Sequence, residues 1–331
     1  MKTKRPFHQK KLKAALQKVA LVLIVFALVI AVVLKLLGTS LAPLAILPLN
    51  IWASLAGAII LSNLLRMQRY VVFTHALGLK VPIGVLNLFV MAGTALIATP
   101  GKVGTALRLW LLHKAYKIPY RRSTPMLFMD MLTDFIAMLM LTLLGMISLG
   151  NMAGLAFALL LFSGLLVGVL MIFVAPRLTK RLIKIGYACI GKKKPKLFAA
   201  LLRLVHRLRH MVTLPHLGLS VGLAVLGWVI LAWGLSHLAQ GMGLSLSLAH
   251  VLVVLCAGTM LGALTFLPGG LGGAEATMLA LLTLFGVPLP QAVLFTLTLR
   301  LSTLWIPTFM GLFCLPVALH TAKKASSPKG A

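Results

Sequence analysis

Residues 246–288 read LSLAHVLVVLCAGTMLGALTFLPGGLGGAEATMLALLTLFGVP, and this stretch decides the kind of fold that the chain can adopt. An apolar run leads into the turn LPGGLGG at 267–273, and a shorter apolar run, 273–286, follows it. The shorter run cannot cross a bilayer, because a helical span needs about 20 residues. Both ends of the stretch lack Lys and Arg, so both are expected on the same, outer side of the membrane. We therefore predict that 246–267 enters the membrane and that 273–286 returns to the same side. The two runs form a re-entrant helix pair, surrounded by protein or a polar cavity.

A second copy of this pattern lies earlier in the chain. The turn TPGKVG at 99–104 follows the apolar run 82–99 and precedes the short run 104–117, and both ends of this copy are basic. Because Lys and Arg favour the cytoplasmic side, the two copies are expected to have opposite orientations. We predict inverted repeats over about 45–148 and 216–318, an architecture in which transporters place their sites near the bilayer midplane. Chance similarity between two Pro-Gly turns is the alternative.

The composition of the whole chain is that of a membrane protein. Of 331 residues, 60% are hydrophobic and 11% are charged, and the mean hydropathy is +1.05. A soluble domain of this length needs much more charged surface. We predict an all-α polytopic membrane protein with about six spanning helices plus two re-entrant helix pairs arranged as inverted repeats. The spans are predicted at residues 18–37, 45–66, 124–148, 152–175, 216–240 and 290–318.

The charge balance predicts the topology. The chain has 32 Lys and Arg residues against three Asp and Glu residues. Most of the basic residues lie between apolar runs, where positive-inside bias explains them, and nucleic-acid binding is not expected. One such segment, 66–80 with Arg66 and Arg69, is therefore predicted to be a cytoplasmic connection. We predict a cytoplasmic basic tail at 1–17, a single membrane domain at 18–318, a cytoplasmic basic loop at 176–215 and a cytoplasmic tail at 319–331. The location is predicted to be the cell (inner) membrane.

Residues 196–210 of the basic loop have an amphipathic pattern. Leu197, Leu201, Val205 and Leu208 share one helical face, and Arg203, Arg207 and His210 lie on the other. A helix of this kind is expected to lie on the anionic inner leaflet and to contact its lipids. An ordinary basic loop is the alternative.

Charged residues inside a membrane are costly and therefore informative. Asp130 and Asp134 are spaced i, i+4 and share one helix face, while Glu275 follows the second turn. We predict a lipid head-group cavity lined by Lys102, Arg108, Asp130, Asp134, Glu275 and Arg300. The alternative is that these charges pair with one another, for example Arg300 with Asp134, and only fix helix packing.

The glycine-rich turns are predicted to bring half-helix N-termini and their N–H groups to this cavity, which favours an anion such as a lipid phosphate. The turn residues are Pro100, Gly101, Gly104, Pro268, Gly269, Gly270, Gly272 and Gly273. Glu275 competes for the second of these helix termini.

Motifs for soluble-enzyme chemistry are absent from the sequence. It contains no Walker loop, GxSxG or HExxH motif, and its three cysteines have no metal-site or disulfide spacing. We therefore predict no catalytic residue, no metal and no cofactor. The five tryptophans are predicted to be packing or interfacial belt residues.

The two turns and the charges around them resemble the flippase-like membrane domain family, which includes the membrane half of lysylphosphatidylglycerol synthases and many stand-alone relatives. The resemblance covers residues from about 15 to 318 and rests on both turns with Arg108, Asp130, Asp134, Glu275, Gly286, Val287, Ala292 and Arg300. Members usually carry Glu where Thr105 stands and Arg where Met131 stands, so two charges of that pattern are missing here. No hydrophilic segment is large enough for the aminoacyl-transferring domain of the synthases, and lysylphosphatidylglycerol synthesis by this chain alone is not expected.

Three functional hypotheses follow. The resemblance implies an inner-membrane flippase-like protein that translocates or handles a phospholipid, a glycolipid or a polyprenyl-phosphate-linked lipid, with anionic head groups as its partners. The second hypothesis is a non-transporting membrane scaffold for a lipid-modifying or glycosyltransferase enzyme. The third is an enzyme that acts on a lipid head group, with Asp130 and Asp134 as an acid/base pair.

Overall fold

The computed structural model describes residues 41–97, 99, 103–150, 214–265 and 267–326, together with isolated positions between 17 and 35 and between 156 and 188. All regular structure in these ranges is helical. Helices are expected in lipid, because every backbone N–H and C=O must be paired within its own segment. Several predictions fall outside the described residues. They are most of the spans 18–37 and 152–175, most of the loop 176–215 including Arg203, Arg207 and His210, nearly all of the tail 1–17 and the last residues of the C-terminal tail.

The first half of the described chain has four helices after a single turn at Ala42–Ala45. They are α1 (Leu49–Ala76), α2 (Ile83–Thr94), α3 (Val103–Tyr116) and α4 (Tyr120–Ser148). Two long helices therefore enclose two short ones.

The second half repeats this order. It consists of α5 (Leu214–Gly241), α6 (Leu248–Leu264), a 3₁₀ turn (Pro268–Gly270), α7 (Gly273–Leu284), α8 (Leu289–Arg300), a π-helical turn (Leu301–Trp305) and α9 (Ile306–Ser326). Helices α8 and α9 form one long helix through the π-helical turn. The short helices α2, α3, α6 and α7 correspond to the predicted arms 82–99, 104–117, 246–267 and 273–286.

Four helices are long and apolar enough to cross a membrane, judged by length and composition within the described residues. They are Leu49–Ala76, Tyr120–Ser148, Pro215–Gly241 and Leu289–Ala325. Each contains all or most of one predicted span, namely 45–66, 124–148, 216–240 and 290–318.

The helix that contains the first of these spans is longer than the span predicted to end at residue 66. Helix α1 continues to Ala76, so Arg66 and Arg69 lie inside a helix and not in an irregular connection. The helix continues through two arginines because Asp130 and Asp134 of α4 pair with them.

The packing between the two halves is reciprocal. Helix α1 packs along α5, the first long helix of the other half. Helix α2 packs on α9, and α6 packs on α4, so each short helix that leads into a turn packs on the last long helix of the other half. Two repeats related by a twofold axis pack in this way. Their opposite orientation in the membrane stays a prediction.

Small residues allow these helices to approach closely. A methyl group added at Gly234 of α5 would contact Ala58 of α1, and one at Gly145 of α4 would contact Val253 of α6. Glycine at such crossings is common in membranes, where helices associate by van der Waals packing and not by the hydrophobic effect.

Candidate functional site

The two aspartates of α4 lie against an arginine of α1. Arg69 Nη2 is 2.8 Å from Asp130 Oδ1, and Arg69 Nη1 is 2.9 Å from Asp134 Oδ1. The same Nη1 donates to Thr133 Oγ1 at 3.1 Å. Only 3% of the Arg69 side chain is exposed. One buried guanidinium therefore bridges both carboxylates and connects α1 to α4.

A second arginine, Arg108 of α3, reaches Asp130 together with a tyrosine. Arg108 Nη1 donates to Tyr70 Oη at 2.6 Å, and Tyr70 Oη donates to Asp130 Oδ2 at 2.9 Å. Arg108 Nη1 is also 3.4 Å from Asp130 Oδ2, and its Nε donates to the Val90 carbonyl of α2 at 3.1 Å. Four helices, α1 to α4, thus meet at one network of polar side chains.

The third arginine, Arg66, pairs with the other aspartate. Its Nη2 is 2.9 Å from Asp134 Oδ2. The guanidinium carbon lies 4.3 Å from the centroid of the Trp228 ring, and Trp228 Nε1 donates to Asp134 Oδ1 at 3.3 Å. Arg66 is the most exposed member of the three arginines, with 26% of its side chain accessible.

Helical spacing explains why these side chains converge. Arg66, Arg69 and Tyr70 are spaced i, i+3 and i+4, so they share one face of α1, as Asp130 and Asp134 share one face of α4. Glycines supply the space. An added methyl group at Gly93 would clash with the Arg108 side chain, and one at Gly227 would lie 2.8 Å from Arg66 Cγ. We name the group Arg66, Arg69, Tyr70, Arg108, Asp130, Asp134 and Trp228 the aspartate network.

A separate ion pair holds the second glycine-rich turn. Arg300 Nε donates to Glu275 Oε1 at 2.6 Å, and Arg300 Nη2 donates to the Gly269 carbonyl at 2.7 Å. The other carboxylate oxygen, Glu275 Oε2, accepts from the Gly272 N–H at 2.7 Å. The Glu275 carboxylate therefore occupies the N-terminus of α7. Its position in the sequence predicted that Glu275 would compete with an anion for this helix terminus. We name Glu275, Arg300 and these backbone groups the turn network.

The turn itself depends on glycine. Gly269 has φ +60° and Gly272 has φ +84°, a region that residues with a Cβ rarely adopt. Gly270 packs so closely on α6 that a Cβ there would lie 3.0 Å from the Gly262 backbone. In the first turn, Gly104 contacts Gly93 in the same manner, while Pro100 and Gly101 lie outside the described residues.

The structure divides the predicted cavity residues between these two networks. Asp130, Asp134 and Arg108 belong to the aspartate network, and Glu275 and Arg300 belong to the turn network. Lys102 lies outside the described residues. The suggested pairing of Arg300 with Asp134 is wrong, because Arg300 pairs with Glu275 and Asp134 with two arginines of α1. That all of these residues line one shared cavity stays a prediction.

Sequence reasoning missed four members of the aspartate network: Arg66, Arg69, Tyr70 and Trp228. The prediction placed the two arginines in a cytoplasmic connection and gave the tryptophan a packing role. The spacing of Arg66, Arg69 and Tyr70 on one helix face was the available signal, together with the need of two buried aspartates for cationic partners.

A groove elsewhere on the molecule does not contain the predicted site residues. It has a volume of about 390 Å³ and is lined by the start of α1 and the end of α5, including Asn50, Ser54, His237 and Gln240. Within the part of the chain that the structure describes, no group of three or more His, Cys, Asp or Glu side chains could hold a metal ion.

The long apolar helices and the buried ion pairs between them define a polytopic helical membrane protein. Residues 17–311 match the family described as the lysylphosphatidylglycerol synthase TM region, and the chain belongs to this family. It is also similar to a UPF0104 membrane protein of Methanothermobacter thermautotrophicus, with 30% identity over 95 residues. That match covers 29% of this chain and 28% of the relative.

Proposed function

We propose that this protein is a flippase-like protein of the cell (inner) membrane that translocates or handles a lipid with an anionic head group. The candidate lipids are a phospholipid, a glycolipid or a polyprenyl-phosphate-linked lipid. The observation that carries the proposal is the placement of charge. All three carboxylate side chains of the chain are paired with arginines between helices, in two networks whose charged residues come from different halves of the described chain.

Charged residues between membrane helices indicate a functional requirement, because burying an ionic group there costs free energy and burying an apolar residue does not. Replacing a buried ion pair by apolar residues is often neutral or stabilising, so packing alone does not require these pairs. A head group that crosses the hydrocarbon layer does require polar partners inside it. The short helices that end at the glycine-rich turns support the same proposal, since broken helices of this kind surround transporter sites.

The test is lipid movement by the purified full-length protein in vesicles, measured with a fluorescent phosphatidylglycerol that an impermeant quencher reaches only in the outer leaflet. We expect the wild-type protein to move the lipid and the double variant Glu275→Gln/Arg300→Gln to fold without moving it. The double variant removes both charges of the turn network together, so neither is left buried and unpaired. A wild-type protein that moves no lipid, or a double variant with full movement, would contradict the proposal.

The family description favours one alternative. It refers to the membrane region of a synthase, and a membrane region can serve an enzyme without transporting anything. In that case the chain would recruit or stabilise a lipid-modifying enzyme. Co-purification of one such enzyme with the full-length protein, together with absent lipid movement, is the result expected for this scaffold function.

A further inference from the structure

The aspartate network carries more positive than negative charge. Arg66, Arg69 and Arg108 contribute three positive charges, and Asp130 and Asp134 contribute two negative ones. The chain contains only one other carboxylate side chain, Glu275, and it is paired with Arg300. Thus no further Asp or Glu of this protein can neutralise the surplus. An unmatched charge among membrane helices is costly, so the network favours an anion from outside the chain.

The contacts identify Arg66 as the arginine that carries the surplus. Arg69 bridges both aspartates and is almost completely buried, and Arg108 is held by Tyr70 and the Val90 carbonyl. Arg66 donates a single hydrogen bond, from Nη2 to Asp134. A guanidinium has five N–H donors, and the remaining four of Arg66 have no acceptor among the described residues, its buried Nε included.

The surroundings of Arg66 fix the plane of its guanidinium. The group stacks on the Trp228 ring, and the absence of a side chain at Gly227 leaves room for its stem. A guanidinium held on an aromatic face keeps its edge available, and that edge matches two oxygens of a phosphate group.

We propose that Arg66 binds the phosphate of a lipid head group and that Asp134 is the internal competitor of this phosphate. The lipid source of the phosphate rests on the proposed function. The phosphate takes the N–H groups on Arg66 Nη1 and Nη2 that have no acceptor among the described residues, while Nε stays buried and Arg69 continues to neutralise Asp134. The N-terminus of α7 is the less suitable anion site, because the Glu275 carboxylate already accepts from the Gly272 N–H there.

The experiment is a lipid titration of the full-length protein in detergent, read by native mass spectrometry. The probes are phosphatidylglycerol and a diacylglycerol with the same acyl chains. We expect Arg66→Gln to weaken phosphatidylglycerol binding about tenfold or more, the loss that corresponds to one charge-assisted hydrogen bond. Diacylglycerol binding should not change. The matched control is Arg122→Gln, because Arg122 is exposed on α4 and, among the described residues, its side chain bonds to the Leu77 carbonyl alone.

A second variant separates ligand binding from a structural role. Asp134→Asn removes the internal competitor, so it should strengthen phosphatidylglycerol binding, opposite in sign to Arg66→Gln. If Arg66 only neutralised Asp134, neither variant would change the binding of phosphatidylglycerol relative to diacylglycerol, and that result would overturn the proposal. Should one of these variants fail to fold, Arg66→Lys decides: it keeps the charge and loses the paired donors, so binding equal to wild type would count against the site.

Inorganic phosphate distinguishes the two sources of the anion. Displacement of phosphatidylglycerol by free phosphate supports a phosphate site open to both sources, and undisturbed lipid binding supports a site for the lipid alone. The titration requires no transport. If the protein binds phosphatidylglycerol through Arg66 but moves no lipid, the proposed site stands and the proposed function fails. If the protein moves lipid but its binding does not depend on Arg66, the proposed function stands and the proposed site fails.

Discussion

At the scale of single residues, the three arginines of the aspartate network differ in what they contribute. Arg69 satisfies two carboxylates at once from a buried position, whereas Arg66 satisfies one from a partly exposed position. Removing one partner of a buried ion pair is costly because a charge is left without compensation. The two arginines of α1 are therefore expected to differ strongly in their effect on stability.

We predict that Arg69→Gln lowers the free energy of unfolding by about 3–5 kcal/mol, the cost of breaking a buried ion pair. Arg66→Gln should cost about 1 kcal/mol, since Asp134 keeps its bond to Arg69. Thermal unfolding of both variants in the same detergent measures the difference. Equal losses would show that Arg69 does not hold the network together.

The glycines of the second turn are a further residue-scale case. Gly272→Ala should destabilise the protein by about 1–2 kcal/mol, because alanine must adopt the positive φ of that position. Gly222→Ala is the matched control, since Gly222 is exposed within α5 and an added methyl group meets nothing within 4 Å. This control should be neutral or slightly stabilising, because alanine is the better helix former. Thermal unfolding measures both variants. Equal melting temperatures for Gly272→Ala and Gly222→Ala would contradict the role of the turn.

At the scale of elements, the crossing of α2 and α9 connects the two halves. Gly311 of α9 lies directly against the Ala95 and Thr94 backbone at the end of α2. Beside it, Thr94 Oγ1 donates to the Pro307 carbonyl at 2.6 Å. The short helix that precedes the first turn is thus held by the last helix of the chain.

Gly311→Ala should therefore separate the two helices and cost about 1–3 kcal/mol, as expected for overpacking. Gly57→Ala on the exposed face of α1 is the control, with open space around the added methyl group. Thermal unfolding in detergent compares them. A Gly311→Ala protein as stable as the wild type would mean that the crossing can relax at no cost.

At the scale of the whole molecule, the predicted membrane topology places the two halves of the fold in opposite orientations. Pro119 and Pro288 are exposed residues that directly precede α4 and α8, at equivalent places in the two halves. Inverted repeats place these two equivalent positions on opposite sides of the membrane.

We expect a cysteine at Pro119→Cys to react with an impermeant thiol reagent from the cytoplasmic side only. A cysteine at Pro288→Cys should react from the outside only. Both variants are made in a background without the three natural cysteines. Labelling of position 288 from the cytoplasmic side would rule out the inverted arrangement.

Local features of the chain were enough to predict the class of fold and most element positions. Length, apolar runs and turns at 99–104 and 267–273 predicted the helices from α1 to α9 because these properties are local. A helix in lipid pairs its own backbone, and a turn with positive φ favours glycine wherever it lies. Asp130, Asp134, Glu275 and Arg300 also stood out, because charge within an apolar run is visible without any contact.

The partners of these charges became clear from the packing of the helices in three dimensions. Arg66 and Arg69 resembled the end of a span by charge alone, since a basic residue at an interface and a basic residue beside a buried aspartate have the same sequence signature. Their ion pairs depend on α4, whose aspartates lie more than 60 residues away in sequence. In the same way, Trp228 acquires a polar role through the packing of α5 on α1. Ion pairing depends on distance in space, and helix packing, which local sequence does not encode, sets that distance.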